Sequence, residues 1–254
     1  MANFTIFSQE TKTLEPEIGK AYNFSKERQE LWNTCISSVT DGFPEGKYTT
    51  EELNKLHDKC SDLGFSEARD GFWGITSGCS WYCGGSYKNV TVSSSLKIQN
   101  DHAYNEKSIS DLNYKTAWVE GVKGDGIGEF ITYEFPPLNP RITKIIIANG
   151  YIKDKKTWQN NARVKQLKMY VDDKFYAILN LKDVYAEQTF EVSPIGYAQR
   201  KKSSYKKDGT LIDDMNGKVI PPIKIKFEIL EVYKGDKYED TAITEIYFDG
   251  IDVH

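Results

Sequence analysis

The chain has 254 residues, a net charge of −4 and a pI of about 5.6. That length suits one large domain or two modest ones, and the acidic balance excludes the basic field that nucleic acid or an anionic membrane surface demands. The longest apolar run, IIIA at 145–148, is far too short to span a bilayer.

The opening residues, MANFTIFSQET, lack a basic start, a long apolar core and a cleavage site. Two readings are open: a cytoplasmic protein, or an exported one whose signal has been removed. Residues 1–88 form a cysteine-containing segment with at least one helix. SKERQELW (25–32) has the character of a short helix. TTEELNKLHDKCSDLGF (49–65) is the clearer one. Thr49 stands three residues before Glu52, a capping-box spacing, Leu53, Leu56, Cys60 and Leu63 share a face, and Gly64 stands at the C-terminal stop.

The four cysteines, Cys35, Cys60, Cys79 and Cys83, all fall in this segment. An even number fits two disulfides with three pairings. With His57 they also make a candidate zinc set, although the spacings only half match the usual short knuckles. Export favours disulfides. GFWGITSGCSWYCGGSY (71–87), rich in glycine and aromatics, reads as a packed irregular lid rather than a catalytic loop.

From residue 89 the pattern turns to strands. NVTVSS, EFITYEF, RITKIIIAN, RVKQLKMYVDD, KFYAILNL, AEQTFEV, PPIKIKFEILEVY and TAITEIYFDG are β-branched and aromatic runs divided by polar or glycine-rich turns. Asp172–Asp173 marks a hairpin turn, and the polar stretch 199–218 reads as a long exposed connection or hairpin. No helix alternates with these strands, so an antiparallel sandwich or jelly roll is expected over 89–254.

The stretch TAWVEGVKGDGIGEF (116–130) tests several functions. It is not a phosphate loop: Lys123 precedes the last glycine, and EFITYEF continues as a strand rather than a helix. DLNYK (111–115) lacks the glycine and glutamate of a helix–loop–helix calcium site, but Asp111, Asn113 and Thr116 offer oxygens to a looser calcium loop.

SSSLKIQNDHAYNEKSISDLNYKTAWVEGVKGDGIGEF, NGYIKDKKTWQNNARVKQLKMYVDD and YKGDKYEDTAITEIYFDG resemble the discoidin-like (coagulation-factor type C) jelly rolls. More narrowly, they resemble the bacterial glycan-binding, translocation-type domain of streptococcal NAD glycohydrolase. The resemblance implies a five-plus-three-stranded jelly roll that binds glycans through loops at one end. It also implies a structural calcium ion (Ca2+) held by Asp111, Thr116 and Glu245, with Asn113 as a further candidate, although this chain reads DL where the sugar-binding relatives have DG. Trp118 is then a core residue. Sugar recognition needs planar hydrogen-bonding groups beside an aromatic face, and two loops mix these. They point to Glu120, Asp125, Tyr151, Trp158 and Arg163 as the ligand-facing set. The competing reading is structural: Asn149 and Gly150 turn, Trp158 covers an apolar edge, and Arg163 pairs with an acid.

No H-E-x-x-H, G-x-S-x-G or Cys–His signature is present, and no catalytic residue is assigned. The expected function is a non-catalytic carbohydrate-binding module of a bacterial secreted or cell-surface protein, with a glycan or glycoconjugate as partner. A protein-interaction or adhesion module using the same loops is the alternative, and an enzyme centred on the N-terminal segment is third.

Overall fold

Strict alternation of apolar and polar residues makes EFITYEF a half-buried strand, and in the computed structural model its inward side chains Ile131, Tyr133 and Phe135 are fully buried. The structure describes residues 12–40, 46–63, 71–75, 81, 84–99, 102–198, 203–213 and 217–252. In chain order, the first elements are β1 (Thr13–Leu14), β2 (Glu17–Ala21), α1 (Lys26–Thr40), α2 (Thr50–Asp62), β3 (Asn89–Val92), β4 (Trp118–Val119), β5 (Phe130–Phe135) and β6 (Ile142–Asn149). Then come α3 (Lys155–Asn160), β7 (Ala162–Val171), β8 (Lys174–Asn180), β9 (Ala186–Ile195), β10 (Ser203–Tyr205), β11 (Leu211–Asp213), β12 (Ile223–Tyr233) and β13 (Thr241–Gly250).

Two layers emerge. One follows the order β8-β7-β12-β5-β3 and the other β9-β6-β13, with the short β4 on β13. A brief parallel pairing of Thr241–Ala242 with Ala162–Arg163 joins them at a corner. Tyr133 and Phe135 of the first layer meet Phe248 of the second edge-on, each at a ring-centroid distance of 5.0 Å. These contacts place the core between the sheets, as in an antiparallel jelly-roll sandwich. Trp118 is wholly buried in that core, with its indole N–H donated to the Ser94 carbonyl at 2.8 Å.

Locally encoded features appear where their residues stand. Thr49 and Glu52 form the reciprocal capping box of α2. Asp172 and Asp173 take φ of 48° and 63°, the left-handed pair that a two-residue hairpin requires. The polar connection carries the β10–β11 hairpin. Helix α1 runs eight residues beyond the expected SKERQELW end, to Thr40, because Trp32 and Cys35 bury there. Phe72, Ile75 and Trp81 of the expected lid are buried.

The N-terminal segment is stitched to the sandwich. β1 pairs with β8 and β2 with β9, extending both edges. Ile75 donates its backbone N–H to Leu112 O at 2.8 Å, and Tyr114 N donates to Trp73 O at 2.8 Å. Cys35 and Cys60 form a disulfide between α1 and α2, which removes both thiolates from the candidate zinc set. Cys79 and Cys83 lie outside the described residues. Closing a loop across a sequence separation of 25 stabilises by about 3.5 kcal/mol on the chain-entropy argument. Reduction is therefore expected to accelerate amide exchange throughout α1 and α2. Unchanged exchange under reductant would contradict a structural role for the bridge.

Candidate functional site

The loops before β4, between β4 and β5, around α3 and before β13 gather at one end of the sandwich. The glycine-rich loop there turns its carboxylates inward. Glu120 is fully buried. Its Oε2 accepts from Val122 N at 2.8 Å and its Oε1 from Thr241 N at 3.2 Å. Burial raises its pKa, and the charges of Asp240 and Glu129 add to the rise. Asp125 pairs with Lys234, its backbone carbonyl accepts from Thr241 Oγ1 at 2.8 Å, and its Oδ1 is buried with no partner among the described residues. Glu129 accepts from the hydroxyls of Ser93 and Ser94. Glu120 thus braces the loop instead of facing a ligand, because unpaired backbone N–H groups beside β13 need an acceptor.

The glycines serve that brace. Gly126 has φ +67°, and a Cβ there would stand 2.4 Å from Glu120 Cγ, whereas Gly124, at φ +99°, opens on empty space. Gly126→Ala is expected to lose more stability than Gly124→Ala, by about 1–3 kcal/mol of overpacking. Urea denaturation of the two variants measures the difference, and equal losses would show that Glu120 does not pack under the loop.

The second loop is also turned into structure. Trp158 is 7% exposed, and its Nε1 donates to Asn149 O at 3.0 Å. Arg163, 6% exposed, lies 4.3 Å from the Trp158 ring centroid and forks onto Asp183 with bonds of 2.8 and 3.1 Å. Its Nη1 donates to the carbonyls of Trp158 and Asn161. Asn149 ties to Val164 through both ends of its amide. The structural reading of Asn149, Trp158 and Arg163 is the one realised. A guanidinium this buried needs a carboxylate and carbonyls to replace water, and the α3 turn supplies them.

Of the five expected ligand-facing residues, Tyr151 lines an open cleft. That cleft encloses about 490 Å³, within the range of small-molecule sites. Leu96, Tyr104, Val119 and Tyr151 make its apolar wall, and Gln99, Lys153, Thr157, Asn160, Asn161 and Asp240 are the polar groups around it. Tyr104 and Tyr151 meet edge-on at 6.4 Å. Burial pushes the Tyr151 phenol up to about 12 and raises Tyr104 as well, so both are neutral hydrogen-bonding groups at neutral pH. Tyr238, 43% exposed, stands at the rim. Tyr104, Tyr238, Asn160 and Asp240 were not singled out in the sequence. Their signal was the same aromatic–amide mixture, divided among three loops.

The candidate metal residues do converge. Thr116 Oγ1 donates to Asp111 at 2.8 Å, Asn113 N donates to Asp111 Oδ1 at 3.0 Å, and Leu112 N donates to Glu245 Oε2 at 2.9 Å. Glu245 is fully buried, and its Oε1 has no partner among the described residues. Burial, then the charge of Asp111, drives its pKa well above the usual carboxylate range. A buried carboxylate with an orphaned oxygen, close enough to Asp111 to feel its charge, fits a hard cation. No third His, Cys, Asp or Glu joins them among the described residues, so any further ligands would be hydroxyl, amide or carbonyl oxygens. Leu112, between these two sets of contacts, holds φ +54°. Tyr151 Oη donates to Lys115 O at 3.3 Å, tying this loop to the cleft.

Residues 81–249 match the family model described as the NAD glycohydrolase translocation F5/8 type C domain. No curated protein matches the chain in sequence. Among solved structures, the family 32 carbohydrate-binding module of Streptococcus pneumoniae EndoD aligns at a TM-score of 0.40 and 9% identity, covering 64% of this chain and 97% of that one. The CBM32-1 and CBM32-2 domains of Clostridium perfringens ZmpB, solved with GalNAc, align at 0.40 and 14%, covering 84% and 52%. Arabinofuranosyltransferase AftD from Mycobacteria aligns at 0.41 and 12%, covering 67% and 11%. The chain thus spans about half of the ZmpB chain and about a tenth of AftD.

Proposed function

Because the chain belongs to the NAD glycohydrolase translocation F5/8 type C domain family, we propose that it is a non-catalytic carbohydrate-binding module acting through the cleft beside β4. The observation that carries this is the cleft's composition. Tyr104 and Tyr151 offer aromatic surface to the C–H side of a pyranose, while Asn160, Asn161, Gln99 and Asp240 offer donors and acceptors for its hydroxyls. The groups stand on loops held by the sheet, so little ordering is needed on binding.

A calcium ion belongs to this reading. Asp111 and Glu245 would hold it, with oxygens of Thr116 and Asn113 as further candidates, and its charge would answer the buried carboxylate of Glu245. It would stiffen the loop on which Tyr151 leans and take no part in any reaction. A secreted or cell-surface location fits the Cys35–Cys60 disulfide.

A glycan array probed with and without calcium, followed by titration calorimetry, tests the proposal. Saccharide binding that Tyr104→Ala weakens supports it. The second reading, a protein-interaction module, draws on Val122 and Ile127, exposed at 41% and 55% on the glycine loop. Binding to a protein partner lost on Val122→Ser and Ile127→Ser, with no saccharide bound, would replace the first reading by the second.

A further inference from the structure

A smaller cavity of about 330 Å³ lies where the chain after β2 meets the sandwich. Most of its lining, including Lys20, Tyr22, Phe24 and Arg28, comes from upstream of residues 81–249, so the family's jelly roll does not supply it. Its aromatic wall is continuous: Tyr22 stacks on Phe24 at 5.8 Å with planes 15° apart, and Tyr114 approaches both, at 5.3 and 5.5 Å. Opposite charges share the remaining lining. Glu187 accepts from Tyr114 at 3.3 Å and from Tyr247 through one oxygen, and its other oxygen accepts nothing among the described residues. Lys20 and Arg28 make no ion pair among the described residues, and the Arg28 side chain's one hydrogen bond there is a long 3.5 Å bond to Leu63 O.

We propose that this cavity is a second saccharide subsite, selective for a sugar bearing a carboxylate. The class of ligand rests on the carbohydrate reading above; the location and the charge selectivity do not. The aromatic wall takes the C–H side of the ring. The free Glu187 oxygen accepts from ring hydroxyls. Arg28, aided by Lys20, pairs with the sugar carboxylate, for which a guanidinium fork is the matching donor. A neutral sugar lacks the carboxylate that pairs with Arg28 and forgoes that charged hydrogen bond.

The full chain is titrated with methyl β-glucuronide and with methyl β-glucoside, its neutral counterpart, for the wild type, Lys20→Gln/Arg28→Gln and Tyr104→Ala. A charged hydrogen bond is worth roughly ten- to a hundredfold in affinity. The glucuronide should therefore bind at least tenfold tighter than the glucoside. That preference should vanish in Lys20→Gln/Arg28→Gln and persist in Tyr104→Ala. None of the replaced side chains is fully buried, and far-ultraviolet dichroism checks the fold. A preference that survives the charge removal, or that disappears with Tyr104→Ala, overturns the second subsite and leaves the cleft reading standing. Failure of every saccharide to bind overturns both.

Discussion

Calcium added to the chelator-treated protein should raise its unfolding midpoint, and Glu245→Gln should abolish the rise. Glu245 is fully buried with Oε1 unpartnered, and Asp111 stands close enough to push its pKa up further. Without a cation the site holds either a carboxylate lacking solvation or a neutral acid at the cost of protonation. A cation bound only by the folded state, present at a hundred times its dissociation constant, contributes about 2.7 kcal/mol. For a chain of this size that is roughly 5–11 °C. Gln keeps the shape of Glu and an acceptor for Leu112 N, so Glu245→Gln should match or exceed the wild type in chelator while ignoring calcium. Differential scanning calorimetry, with sodium as an ionic-strength control, reads both. An equal calcium shift in the two proteins, or none in either, rules the site out.

Two aromatic substitutions should part binding from stability. Tyr104→Ala removes ring surface from the cleft and should weaken saccharide binding by about 0.5–1.5 kcal/mol, roughly two- to tenfold. The fold should tolerate it, since Tyr104 is only partly buried. Trp158→Ala should do the reverse. Its ring packs with Ala148 and Ile152, lies under Arg163 and donates to Asn149 O, so truncation should cost about 3–5 kcal/mol of stability. At temperatures where the variant remains folded, the cleft should still bind. Calorimetric titration and urea denaturation on the same preparations decide. Lost binding in folded Trp158→Ala would return that residue to the ligand site.

What could be read from the sequence has a common physical form. The capping box at Thr49, the Asp172–Asp173 turn and the alternation of EFITYEF depend on residues within a few positions of each other. Their side chains and dihedral angles carry the signal locally. Asp111, Thr116 and Glu245 were grouped only through the pattern of a known family; the contact that links this loop to Glu245, from Leu112 N, spans 133 residues of chain.

The destinations of the polar residues in the loops were decided only by the tertiary structure. The sequence could place Glu120, Trp158 and Arg163 in loops at one end of a sandwich, but not say whether they faced out. Glu120 turned inward because Thr241, 121 residues away, presents a backbone N–H that needs an acceptor. Arg163 did so because Asp183 and the carbonyls of the α3 turn replace its water. The joining of β1 and β2 to strands far along the chain is of the same kind. The sequence by itself determined a β-rich chain, its helix cap, its turns and its buried Trp118. The tertiary structure decided which polar groups met a partner, and so which aromatic rings were left to form a cleft, because a buried polar group goes to whichever partner the fold brings within hydrogen-bond reach.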